Sequence, residues 1–201
     1  GLCCFFSFTD LFAAPGEWIE LQLGRELPAF SVLQHSAGGN CLICLIPDSG
    51  QVCTYETYTH HWHMFEGHMM PPAGKQVCSA GEDVALVWND TIAIAFNART
   101  RAFHELAYDG FLTDELYGHG CFASTAWFLT SEKFYVFDAQ DDAWKSYDYT
   151  KPDNDPDYTV WRCADNKAYL FFELRSSVDF NHHSLLTYSR ITRTFNELVI
   201  D

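Results

Sequence analysis

The densest group of side chains able to do chemistry is His60-His61-Trp62-His63, with Glu66 and His68 close behind. Imidazole is a common protein ligand for zinc and copper. On a strand, His61 and His63 share one face, which is the spacing that two ligands of a single metal need. They are the weak candidates for a metal site. Solvated histidines on an outer strand are the reading retained, and no bound cofactor is implied. His182-His183 is a similar but poorer case. Cys41 and Cys44 form a CxxC, but on a strand positions i and i+3 point to opposite faces. Neither a bridge nor a shared metal fits without a bend. Asp153-Asn154-Asp155-Pro156-Asp157 spaces its acids as a calcium loop begins. Tyr158 and Ala164 stand where that loop needs its glycine and its distal glutamate, so a solvated loop is expected. The sequence contains no phosphate-cradling glycine loop and no nucleophile elbow.

These groups need a body to hold them. Of the 201 residues, 48% are apolar and 16% aromatic, which is too much sticky surface for a disordered chain. A single domain over 1–201 is expected. No run of about 18 apolar residues occurs, as a spanning helix would need. The net charge of −15, from 27 acids against 12 bases, sets up a field that repels polyanions and anionic bilayers. Nucleic acid and membrane are therefore not expected as partners. A cationic or neutral protein, a peptide or a carbohydrate ligand fits better. Most of the eight cysteines sit inside apolar runs, as buried free thiols do, which favours a reducing compartment such as the cytoplasm. The sequence begins at Gly1 rather than methionine, as a processed chain or a domain of a longer one does.

A repeat of about forty residues organises the chain. Its marker residues are Trp18, Trp62, Phe103, Trp144 and Phe195. Seven residues before the last four stand Tyr55, Phe96, Phe137 and Tyr188. Three before stand Thr59, Thr100, Asp141 and Thr192, and three after stand Phe65, Leu106, Tyr147 and Leu198. Trp18 keeps only Leu11 and Leu21, so the first copy is worn. Each unit reads as a hairpin in which two aromatics face each other across a polar turn such as Asn97-Ala98-Arg99-Thr100. Two further β-like runs precede each hairpin. In one copy these are Gln76–Ser79 and Val84–Trp88. In the next, a turn is expected at Gly118-His119-Gly120, followed by one long strand from Cys121 to Leu129.

Four short strands per unit describe an all-β chain of four-stranded antiparallel sheets repeated as propeller blades. The approximate blades are 1–24 (partial), 31–66, 76–108, 116–149 and 158–201. The hairpin Phe137-Asp138-Ala139-Gln140-Asp141-Asp142-Ala143-Trp144 resembles the Tyr-Asp-x-x-Thr-x-x-Trp of kelch-type repeats. The resemblance covers about 31–201, and the family's double glycine occurs at Gly38-Gly39. It implies a degenerate kelch-like β-propeller, with five blades favoured over a fragment of a six- or seven-bladed one.

In that arrangement the inner and outer turns of each blade are short, while the connections on the opposite face are long. Insertions gather on the binding face of repeat folds. The candidate ligand-binding residues there are Met69, Met70, Asp109, Phe111, Leu112, Asp114, Asp153, Asp155, Asp157, Asp179 and Phe180, which mix acids with apolar anchors. The expectation is a non-catalytic binding or scaffold module. The alternative is a propeller enzyme acting on a glycan or using a metal near the axis. A structural subunit would instead present a large apolar patch on an outer strand.

Overall fold

The computed structural model describes residues 34–69, 77–108, 118–131, 133–151, 158–176 and 183–200. Among them the chain is all-β and forms four sheets of four antiparallel strands. The first sheet contains β1 (Gln34–Gly38), β2 (Cys41–Ile46), β3 (Gln51–Glu56) and β4 (His61–Met64). The second contains β5 (Cys78–Ala80), β6 (Val84–Trp88), β7 (Ile92–Asn97) and β8 (Ala102–Ala107). The third contains β9 (His119–Phe122), β10 (Thr125–Leu129), β11 (Lys133–Asp138) and β12 (Ala143–Asp148). The fourth contains β13 (Thr159–Asp165), β14 (Tyr169–Arg175), β15 (His183–Ser189) and β16 (Thr194–Ile200). Each strand pairs only with its sequence neighbours. The worn copy at 1–24 lies outside the described residues.

The turn between the third and fourth strands is built the same way in every sheet. Its first residue turns its side chain back on the loop. Asn97 accepts from the Arg99 amide at 3.0 Å, Asp138 from Gln140 at 2.9 Å, Ser189 from Thr192 at 3.2 Å and Glu56 from Thr59 at 2.9 Å. Short polar side chains favour turns through such bonds. The last loop residue is left-handed in all four: His60, Arg101, Asp142 and Arg193 have φ of 59°, 60°, 54° and 57°. The loop then re-enters the ladder so that the paired aromatics stand opposite. Tyr55 pairs with Trp62, Phe96 with Phe103, Phe137 with Trp144 and Tyr188 with Phe195, with ring centroids 4.9 to 5.5 Å apart. Such a pair contributes about 0.5–1.5 kcal/mol beyond its buried area. The fourth-strand members are half-buried, because each lies on an outermost strand.

One expected turn is misplaced. Gly118-His119-Gly120 does not turn; His119 and Gly120 belong to β9. The reversal falls at Ala123-Ser124, inside the expected long strand, with Ala123 at φ 50°. Gly120 is there for packing. It pairs with Trp127, and a Cβ on it would come within 2.8 Å of the indole.

Consecutive sheets pack face to face. β6 and β10 are buried at every residue, so both of their faces are covered. One core joins the first three sheets through Ile43, Leu86, Trp88, Phe96, Phe128 and Phe137. A second joins the third and fourth through Trp127, Phe134, Phe172 and Tyr188. A stagger governs the outer contacts. Phe65 of the first sheet meets Phe103 of the second at 5.6 Å, and Tyr147 of the third stacks on Phe195 of the fourth at 5.5 Å. The Trp144 indole also donates to the His104 carbonyl of the preceding sheet at 3.1 Å.

The inner turns abut as well. The Asn40 amide donates to the Glu82 carbonyl at 2.7 Å, and the Asp83 amide to the Ala123 carbonyl at 3.0 Å. The double glycine serves this approach. A Cβ on Gly38 would lie 2.4 Å from the Ala80 oxygen, and one on Gly39, at φ 45°, 2.3 Å from the Glu82 Cα. Gly38→Ala is expected to lose about 1–3 kcal/mol in urea unfolding, the usual cost of overpacking. Arg101→Gly at the exposed left-handed position is expected to lose nothing or to gain, since that conformation strains an L side chain by about 1 kcal/mol.

Candidate binding surfaces

Of the eleven candidate ligand contacts, Met69 alone lies within the described residues. Met70, Asp109, Phe111, Leu112, Asp114, Asp153, Asp155, Asp157, Asp179 and Phe180 lie outside them. Met69 corrects its expectation. It is 1% exposed and belongs to the first core, so it cannot serve as a surface anchor. Its amide is tied to the Gly50 carbonyl, which draws the chain inward just after β4. Tyr158, which follows the Asp153–Asp157 acids, is also buried, and its hydroxyl meets that of Tyr149 beside the Thr130 carbonyl.

The histidines on β4 each lie against a different neighbour. His61 Nδ1 lies 3.0 Å from Thr59 Oγ1, and His63 Nε2 lies 3.6 Å from Glu56 while its ring packs on Phe96. Burial holds His63 below the usual histidine pKa, opposed by Glu56. Among the described residues, no group of three or more His, Cys, Asp or Glu is placed to hold a metal. Cys41 and Cys44 part to opposite faces as strand alternation requires. The Cys41 thiol reaches the Glu82 carbonyl, and Cys44 stands opposite Cys53. The thiols of Cys78 and Cys121 likewise donate to carbonyls of the preceding sheet, those of Gln34 and Ser79. Burial pushes Cys41, Cys78 and Cys163 up to about 12.

The end of the array that carries the short turns holds a polar belt that the sequence did not foretell. Asp83, on the inner turn of the second sheet, accepts from Tyr58 at 2.5 Å, from Asn40 at 3.1 Å and from Arg99 at 2.5 and 2.9 Å. Burial works against its charge, but these bonds outweigh burial and hold its pKa below the ordinary aspartate value. Asp142 of the third sheet accepts from Asn97 and Thr100 of the second at 2.7 and 3.0 Å, and its carboxylate lies 2.9 Å from His104 Nε2. Tyr188 of the fourth sheet donates to Asp138 of the third at 2.7 Å. Asp141 is gripped by Lys145 and by Arg193 from the fourth sheet, and the Lys145 bond leads in depressing its pKa. Arg190, only 5% exposed, reaches from the fourth sheet to Thr125 of the third at 2.6 and 2.9 Å while pairing with Asp165 at 2.6 Å. Polar side chains on this end therefore clamp one sheet to the next, with ion pairs inside a sheet holding several of them in place. The aspartates and threonines of the repeat were visible in the sequence, but their partners about forty residues away were not.

Between the turns of the first and second sheets the belt leaves an open cleft of 370 Å³, lined by Tyr58, Thr59, Ala98, Arg99 and Arg101. Tyr58 is 52% exposed there. The fourth sheet carries a different kind of surface. Trp161, Tyr169 and Leu198 are 49%, 45% and 57% exposed, and the Arg175 guanidinium lies 4.8 Å over the Trp161 ring.

No family model matches the chain, and no curated protein matches it. Among solved structures it is similar to a chain of the S. cerevisiae complex of Dbp5 with Nup159, Gle1, IP6 and ADP, with a TM-score of 0.43 and 10% identity over 86% of this chain and 44% of that one. It is also similar to the extracellular domain of the one-component system BT4673 from B. thetaiotaomicron, with a TM-score of 0.39 and 8% identity over 80% of this chain and 21% of that one. The chain thus spans less than half the length of either. At these values neither likeness identifies a function.

The belt makes a prediction about pH. The folded pKa of Asp83 is depressed, so its contribution is present above the unfolded value and is lost as pH falls through the folded one. Asp83→Asn is expected to cost about 2 kcal/mol near neutral pH, the scale of charge-assisted hydrogen bonds. The gap between variant and parent should close as the buffer is taken below the ordinary aspartate range. Urea unfolding at a series of pH values measures it.

Proposed function

We propose that this chain is a non-catalytic binding or scaffold module whose sheets are blades of a degenerate kelch-like β-propeller, five in all with 1–24 as an incomplete first blade. The repeated contacts support the blade reading: inner turns join the first sheet to the second and the second to the third, staggered rings join the first to the second and the third to the fourth, and belt bonds join all three pairs. The ligand surface is the long-loop face, with Phe111, Leu112 and Phe180 as apolar anchors among Asp109, Asp114, Asp153, Asp155, Asp157 and Asp179. Its partner is a cationic or neutral peptide, protein or carbohydrate, and neither nucleic acid nor membrane.

Among the described residues, the direction of the perturbed ionisations supports the non-catalytic reading. General acids and bases work best when tuned toward the operating pH. Here the buried tyrosines Tyr108 and Tyr188 and most thiols are pushed up, Asp83, Asp141 and Glu56 are held down, and Arg99 is raised. Each is fixed more firmly in its resting form. Cys44 departs from this, since a hydrogen bond from Cys53 lowers it against burial, but its side chain is enclosed. A scaffold role draws separate support from the outermost strand, where Leu198 and Val199 are 57% and 40% exposed.

A fluorescence titration with a Lys/Arg-rich peptide library tests the partner chemistry. Binding is expected to weaken between about 0.15 M and about 1 M salt, as the Debye length shrinks from ~8 to ~3 Å. It should also weaken in Phe111→Ala and in the Asp153→Asn, Asp155→Asn, Asp157→Asn triple variant. Heparin and duplex DNA should not bind at the lower salt. Salt-insensitive binding that survives both variants would place the working surface elsewhere.

A further inference from the structure

The left-handed residues of the third and fourth sheets both reach back to the turn of the sheet before. Asp142 accepts from Asn97 and Thr100, and Arg193 grips Asp141. Arg101 holds the same position in the second sheet, at φ 60°. The turn before it offers no open carboxylate. Glu56 is buried and already accepts from the Thr59 amide at 2.9 Å and from the Thr59 hydroxyl. Arg101 is exposed, and among the described residues no acid pairs with it, whereas Arg99, Arg175, Arg190 and Arg193 each have one. An arginine so placed strains the backbone and returns no side-chain contact to the fold, which makes it a candidate for function.

Its surroundings suit an anion. Arg101 lines the 370 Å³ cleft with Tyr58, Thr59, Ala98 and Arg99, so the lining holds two arginines and no acid in a chain of net charge −15. Arg99 is fixed side-on, with Nε and Nη2 both donating to Asp83 at 2.9 and 2.5 Å. Its side chain is half exposed, and the end-on edge of the guanidinium, with both hydrogens of Nη1 and one of Nη2, is not used by Asp83. The other donors of the lining point inward: Tyr58 to Asp83, Thr59 to Glu56 and the Ala98 amide to the Asp83 carbonyl. Asp83 neutralises Arg99, which leaves Arg101 as the net charge of the cleft. A single positive charge inside so acidic a field suits a monoanion better than a dianion. An open cleft between two turns wraps less of a free small molecule than an enclosed pocket does, so it suits a group presented by a larger chain. The Tyr58 ring, half exposed beside the arginines, offers an apolar face to whatever flanks the anion.

We propose that this cleft binds a single carboxylate borne by an otherwise uncharged peptide. Arg101 and the end-on edge of Arg99 hold the carboxylate, and Tyr58 packs on the apolar residue beside it. The site lies on the short-turn end, between the first and second sheets, and is independent of the ligand surface assigned to the long-loop face.

Fluorescence anisotropy on the full chain tests this with labelled apolar peptides. One ends in leucine with a free carboxylate, one is its C-terminal amide, and one is amide-ended with a single glutamate beside the leucine. At least one carboxylate peptide is expected to bind and the neutral amide is not; the peptide that binds tells a chain end from an acidic side chain. Arg101→Gly should weaken binding about tenfold or more, the worth of one charge-assisted hydrogen bond, with an unchanged or raised urea midpoint. Arg101→Gln, which keeps length without charge, should weaken it alike. Phe111→Ala should leave it at the parent value. Equal binding of the neutral amide, or binding undiminished in both Arg101 variants, would overturn the site. So would failure of both carboxylate peptides to bind with a Kd below about 1 mM. Loss in Phe111→Ala alone would move the carboxylate to the long-loop face and overturn the proposal. Tighter binding of a phosphoserine peptide than of the glutamate one would overturn the assignment to a monoanion.

Discussion

A strand buried at every residue needs a neighbour on both of its faces. β6 and β10 meet that condition, and the rest of the structure follows from it. A four-stranded sheet with two apolar faces cannot stand alone, so the second and third sheets exist by being sandwiched. The large rings are placed accordingly. They sit where the outer strand of one sheet overhangs the next, at a constant stagger that lets sheets of quite different composition pack alike. The alanines of β7 and the phenylalanines of β11 are buried alike.

Apolar stacking alone leaves rotation and sliding weakly specified, because the hydrophobic effect is non-directional. The polar belt supplies direction. Some of its bonds run within a sheet, as Asp83 with Arg99 and Arg190 with Asp165 do, but others cross: Asn40 and Tyr58 to Asp83, Asn97 to Asp142, Tyr188 to Asp138 and Arg190 to Thr125. A sheet shifted by one residue would break these and leave the buried Asp83 and Arg190 short of partners, a costly outcome. The belt thus selects one arrangement among several that would bury similar area. It also explains why this end of so acidic a chain collects arginines: they answer specific carboxylates.

Much of this was legible in the sequence. The aromatic column gave the strand count, the hairpin pairing and the registers of third and fourth strands, because cross-strand partners are local and their spacing is fixed by a loop of constant length. The inner turn of the third sheet was not legible. Its left-handed position is filled by Ala123 instead of glycine, and the glycine that looked like a turn signal, Gly120, makes room for Trp127. Met69 was misread for a related reason, since a residue in a long connection can still be pulled into a core by one backbone bond to Gly50. Of the candidate sites, the strand geometry of His61, His63 and the CxxC could be reasoned in advance. The clamping role of the turn-end aspartates could not, for it depends on which sheet stands next door.

The four left-handed loop residues carry one more consequence. The backbone there is dictated by the hairpin and asks for no particular side chain, as the set His60, Arg101, Asp142 and Arg193 demonstrates. The fold therefore displays four different side chains on loops of one shape, one loop to each sheet. Two of them, Asp142 and Arg193, are spent on holding the neighbouring sheet, whereas Arg101 is exposed. Such a row behaves like type set in a fixed frame in which some characters also lock the frame: the Arg101 position could be rewritten without redesigning a single strand, and the Asp142 and Arg193 positions could not.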